Sequence, residues 1–363
     1  MKNDQDRYWD CLDQAMEASH GGRIEEALAW LDEALKAHPD GAEAHNGRGE
    51  ILWDEGRIDE ALYEFERAIA ADPKFSVAHL NRIELLIEEM AESELALESC
   101  DELLAGSPEL PRLDKNLQAE LYYLKSKALF YLDDLEGAVF LIRRASKSAG
   151  EQSTYNAFEG HALFELGQYE EARRVLERAA AIDPDSAHVV YSLGLLLERL
   201  AHEGGGEGGS GDGADVEATR QLAEQAFARA HALDPSQFPL PVVVSDEDFQ
   251  SAVREALDNL PRSIREYIAD VPVIVEDFPS REIVRRERIS PQILGLFLGT
   301  PRTQAAVTEQ VPDLDRVILF KSNLEKICRD RDELIDQIQI TVRHEIGHYL
   351  GLDEDDLDRL GLS

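Results

Sequence analysis

Gly22-Arg23-Ile24-Glu25-Glu26-Ala27 returns 34 residues later as Gly56-Arg57-Ile58-Asp59-Glu60-Ala61, and again as Gly167-Gln168-Tyr169-Glu170-Glu171-Ala172. A unit this short cannot bury a core alone, so it must stack on its neighbours. Twelve residues after each alanine stands a proline (Pro39, Pro73, Pro184), and Ala96 with Pro108 and Ala223 with Pro235 keep the interval. Ala34, Ala68, Ala179 and Ala230 hold a second small position, and Gly49, Gly160 and Gly194 a third in the preceding helix. Small residues let two antiparallel helices approach, and proline closes each unit because it cannot extend a helix.

The spacing predicts units at 6–39, 40–73, 74–108, 115–150, 152–184 and 185–235. In the fourth, Ala138 and Ala145 fit but Gly150 replaces the proline, and a longer connection is expected at Pro108–Asn116. The sixth carries 17 surplus residues, explained by a Gly-rich insert at 203–213 that is expected to be a flexible loop. A phosphate-binding role for it is disfavoured, since no strand precedes it and no Gly-Lys-Ser/Thr follows. Period and small-residue positions together resemble the tetratricopeptide repeat family over about residues 6–238. The resemblance implies an all-α superhelix whose groove binds a protein or peptide.

The formal charge of -37 repels phosphate backbones, so nucleic acid is excluded as the expected partner. No apolar run approaches the ~20 residues that span a bilayer, so no membrane is expected. The polar start of the chain predicts no secretory signal. Three distant cysteines, Cys11, Cys100 and Cys328, argue against a disulfide framework and fit a cytoplasmic setting.

Near Pro239-Leu240-Pro241 the period stops, which places repeats at 1–240 and a second domain at 241–363. Asp246–Leu257 reads as an amphipathic helix, a short helix is expected through Tyr267, and strands are expected at Val271–Glu276, Leu294–Gly299 and Arg316–Phe320. Glu333–Leu350 reads as a long helix with Ile335, Ile338, Val342 and Ile346 as its apolar stripe. Together these predict a small α+β domain.

On the long helix lies His344-Glu345-Ile346-Gly347-His348. Residues four apart share a helix face, so both imidazoles can reach one Zn2+ ion, while Glu345, turned by about 100°, stands beside it as a general base. Only these two of the ten histidines lie beyond residue 231, so the third donor must be a carboxylate, a backbone group or water. Gly351 suits a helix end that turns the chain back.

Residues 246–360 resemble the small bacterial zincin-like metallopeptidases of the minimal HExxH type. The resemblance is carried by Phe249 with Ala256-Leu257-Asp258 and Leu260-Pro261, by Val273 to Pro279, by Leu294 to Pro301, by Pro312-Asp313 with Val317 to Phe320, and by Thr341 to His348. It implies a zincin-like fold, zinc and peptidase activity, with Glu354 as third ligand; Asp353, Asp355 and Asp356 crowd the same turn. No methionine follows Met90, so the methionine turn of larger zincins is lacking. Tyr349 or Tyr267 could stabilise an oxyanion or pack in the core.

The expected function is a zinc-dependent peptidase whose substrate the repeats recruit. The alternatives are an interaction scaffold with a structural or inactive zinc site, and a metal-dependent endoribonuclease, which the two-histidine count and the acidic surface disfavour.

Overall fold

The computed structural model describes residues 4–205, 213–260, 262, 265, 271–299 and 316–350, with residues 349 and 350 described by backbone alone. It divides into two compact units, residues 1–162 and 163–363.

Twelve helices, two to each of the six expected units, occupy this stretch: α1 Asp4–His20, α2 Ile24–Ala37, α3 Ala42–Asp54, α4 Ile58–Ala71, α5 Ser76–Glu88, α6 Ser93–Ala105, α7 Lys115–Tyr131, α8 Leu135–Ala149, α9 Ser153–Glu165, α10 Tyr169–Ile182, α11 Ala187–Gly205 and α12 Gly213–Leu233. The repeated glycines have two distinct causes. Gly22, Gly56 and Gly167 sit in the turn inside a pair with φ of 69°, 71° and 64°, a conformation glycine adopts without strain. Ala91 and Asp133, at φ 54° and 61°, take this place in the third and fourth pairs, which explains why the motif is blurred there. Gly49 and Gly194 instead make room for an aromatic ring: a Cβ would stand 2.6 Å from Phe65 and 2.9 Å from Phe227. The longer connection ends at Asp114, whose side chain caps α7 by accepting from the amides of Asn116 and Leu117. Residues 206–212 of the Gly-rich insert lie outside the described residues.

After α13 Asp246–Asp258 come β1 Val273–Glu276, α14 Arg281–Glu287, β2 Gly295–Leu298, β3 Arg316–Phe320, α15 Lys321–Ile327 and α16 Arg331–Leu350. The helix expected through Tyr267 lies largely outside the described residues. The sheet order is β1-β3-β2, with β1 parallel and β2 antiparallel to β3. Central β3 is buried on both faces, so it reads as a continuous apolar run rather than an alternation. Val317 and Leu319 pack with Phe249 and Val253 of α13 and with Ile335, Ile338, Val342 and Ile346 of α16. Ile318 and Phe320 pack with Leu298 and Ile283 on the other face.

In the second unit α10 and α11 are joined to the C-terminal domain. The Phe278 ring has two cations against it, the Arg199 guanidinium at 4.9 Å and the Lys326 ammonium at 4.9 Å. Arg199, 2 % exposed, donates to the Pro279 carbonyl, and Lys326 pairs with Glu198 at 2.6 Å. Arg281 stacks on Tyr169 at 4.6 Å and bonds Glu170 at 3.0 Å, while Arg285 donates to the Gly167 carbonyl at 2.8 Å. Burial pushes Arg199 and Lys326 below their usual ranges and Glu198 above its own. No described helix is long and apolar enough to cross a membrane.

Candidate metal centre

The stripe of Ile335, Ile338, Val342 and Ile346 is buried, and this fixes the rotation of α16 about its axis. Given that rotation, Glu345 turns toward β2 and the two histidines lie half-buried beside it. The Nε2 atoms of His344 and His348 stand 3.1 Å apart, with ring planes at 85°. Two imidazole nitrogens at ~2.0–2.1 Å from one tetrahedral zinc would be ~3.3–3.4 Å apart. The pair therefore fits a shared ion with a shift of about 0.3 Å.

Glu345 is 7 % exposed, and its Oε2 accepts the Phe297 main-chain N–H at 2.6 Å. That amide belongs to β2 and points away from β3: Leu294 takes the bond from the Phe320 amide, so alternate residues of β2 face β3. A short charge-assisted bond of this kind fixes the orientation of the Glu345 carboxylate. Gly295 makes the approach feasible, because a Cβ there would stand 2.6 Å from Thr341 Cγ2 and 3.2 Å from Glu345 Cγ.

The structure thus brings His344, His348 and Glu345 together. Glu354, Asp353, Asp355, Asp356, Gly351 and Tyr267 lie outside the described residues, as does the side chain of Tyr349. Among the described residues no group of three histidine, cysteine or acidic side chains forms a metal site. Sequence reasoning missed the Phe297 amide and the role of Gly295. A backbone donor leaves no trace in side-chain identity, but a glycine inside a strand signals close approach by another element.

A family model described as zincin-like metallopeptidase matches residues 268–362. Two tetratricopeptide-repeat models match residues 12–74 and 160–200. No match was found among curated proteins. Among solved structures the chain is similar to PilW, a type IV pilus biogenesis factor, at 17% identity and TM-score 0.50, covering 63% of this chain and 94% of that one. It is also similar to a chain of the APC/C hetero-tetramer Cut9-Hcn1, at 16% and 0.50, covering 63% and 40%, and to pilF of Pseudomonas aeruginosa, at 17% and 0.49, covering 65% and 95%. At these identities the likeness to the first two shows the repeat fold alone. The chain is a tetratricopeptide-repeat array followed by a small α+β zincin-like metallopeptidase domain.

Proposed function

We propose that this protein is a zinc-dependent peptidase whose substrate is brought to it by the repeat array. The observation that carries the reading is the convergence of the His344 and His348 Nε2 atoms beside a Glu345 carboxylate held by the Phe297 amide. His344 and His348 would hold the zinc, with Glu354 as the third donor. When bound, zinc acidifies water and polarises a peptide carbonyl. Glu345 takes the proton of the attacking water and delivers it to the leaving amine nitrogen. Phe297 keeps the Glu345 carboxylate from rotating during both transfers. Among the described residues β2 is an edge of the sheet, and its outward main-chain groups other than the Phe297 amide, which Glu345 holds, would pair with an extended substrate by bonds that are indifferent to side chains. The repeats at 1–240 would supply selectivity. Three free, buried cysteines agree with a reducing compartment such as the cytoplasm.

Glu345→Gln tests the mechanism. The variant is expected to retain one zinc per chain by metal analysis and to lose cleavage of casein or of a generic peptide by about 100-fold or more. Undiminished cleavage with zinc in place would sink it.

A further inference from the structure

The first helices of successive pairs in residues 1–162 are linked side by side through their polar and aromatic side chains. Asn81 of α5 donates to Asn46 at 3.1 Å and to Glu50 at 2.9 Å, both on α3. Further along the same helices, the Trp53 indole donates to Glu89 at 3.1 Å. From α7, Tyr131 donates to Glu88 at 3.3 Å, and Lys127 reaches Glu84 at 3.0 Å and Glu88 at 2.5 Å. Tyr123 and Tyr155 extend the row, their rings 5.3 Å apart, and Tyr155 donates to Glu120 at 2.7 Å. The resulting band interleaves aromatic rings with carboxylates. Glu50, Glu88 and Glu89 are exposed on it, Tyr131 is 58% exposed, and Trp53 is half-buried.

Lys127 shows what chemistry the band accepts. Its ammonium sits between two carboxylates and over the Tyr123 ring at 5.4 Å. Burial opposes its charge, yet the bond it donates to Glu88 and the field of Glu84 hold it protonated above the usual lysine range. One internal cation thus satisfies Glu84 and the inner side of Glu88. Glu50 and Glu89, with the Trp53 and Tyr131 rings, offer carboxylate and π-face to cations from outside. We propose that this face binds an extended, lysine- and arginine-rich segment of a partner protein, which rests on the recruiting role given to the repeats above. Neighbouring helix axes lie roughly 8–10 Å apart, so α3 to α7 spans about 20 Å, or about six residues of extended chain. An acidic or nucleic-acid ligand would meet like charge along the whole face.

Fluorescence anisotropy of the full chain with a fluorescein-labelled alternating Arg-Ala decapeptide tests this without metal or cleavage, so its failure leaves the peptidase reading standing. Wild type is expected to bind the Arg-Ala peptide, more weakly as salt rises, and not its Glu-Ala counterpart. Combining Glu88→Gln and Glu89→Gln with Tyr131→Ser should weaken binding about tenfold. Glu94→Gln with Glu98→Gln, equally exposed on α6, should bind as wild type. Circular dichroism checks that helicity is kept, and Tyr131→Ser alone decides if the triple variant loses it. Equal binding by all variants, or equal binding of the two peptides, overturns the proposal as mere attraction to an acidic surface.

Discussion

Substituting Gly295 by alanine tests the close contact that sets the Glu345 carboxylate. The new methyl carbon would stand 2.6 Å from Thr341 Cγ2, against the ~3.5–4.0 Å at which carbon atoms rest in contact. Relief requires α16 and β2 to part by about 1 Å. The 2.6 Å bond from Phe297 to Glu345 then stretches beyond the range of a good hydrogen bond. Overpacking of this kind costs ~1–3 kcal/mol, offset in part by the ~0.5–1 kcal/mol that replacing a strand glycine returns. A net loss of about 1 kcal/mol lowers the melting temperature of a unit this size by about 2–4 °C. If the geometry argument holds, cleavage falls further than stability, by about 100-fold, because a 1 Å displacement at a reacting group costs that much. Zinc content should persist, since the three atoms nearest the new methyl belong to Thr341, Glu345 and Ile318 and not to a histidine. Thr341→Ser removes the very methyl that Gly295→Ala strikes, so the double variant should recover at least half of both losses. Thermal denaturation, metal analysis and casein digestion read the three quantities. A Gly295→Ala protein as stable and active as wild type, or a double variant no better than the single one, would refute the reasoning.

Lys326→Met alone should destabilise by about 3 kcal/mol, because it leaves the buried Oε2 of half-buried Glu198 without its cation, whereas Lys326→Met with Glu198→Leu should lie within about 1 kcal/mol of wild type or above it; urea unfolding measures both. Burial holds Lys326 below the ordinary lysine value of 10.5, so the unfolded chain binds more protons at this site. Its contribution to stability therefore rises with pH between its lowered value and 10.5, and Lys326→Met should flatten that limb of a stability–pH curve. Burial pushes the Cys100 and Cys328 thiols up to about 12, so neither should react with a thiol reagent at pH 8 until urea unfolds the chain; rapid labelling of either in the native protein would contradict their placement.

Much of the fold was legible because stacked helix pairs impose one requirement on every unit. Gly49 and Gly194 both leave space for a ring from the second helix, and the same small residue had to recur. The strands were legible in position but not in pairing: Val273–Glu276 and Arg316–Phe320 are simply apolar, and nothing local says that they run parallel. Helices α14 and α15 went unread, since two turns are too short for an apolar stripe to show. In the candidate site, His344, Glu345 and His348 were readable because helical spacing alone decides which side chains meet. The Phe297 amide was not, because its part depends on which edge of β2 faces α16.

The pair of cations against the Phe278 ring bears on how such a protein could have been assembled. Family boundaries suggest two cassettes that recombination could trade freely, any array with any hydrolase. Yet Arg199 and Glu198 on α11, and Tyr169 on α10, complete the surroundings of Phe278, Arg281 and Lys326. A hydrolase cassette moved without α10 and α11 would bare an apolar ring and leave buried Lys326 and half-buried Arg281 without their carboxylate partners. Removing the C-terminal domain intact therefore means carrying α10 and α11 with it, both of which lie in the same compact unit, residues 163–363.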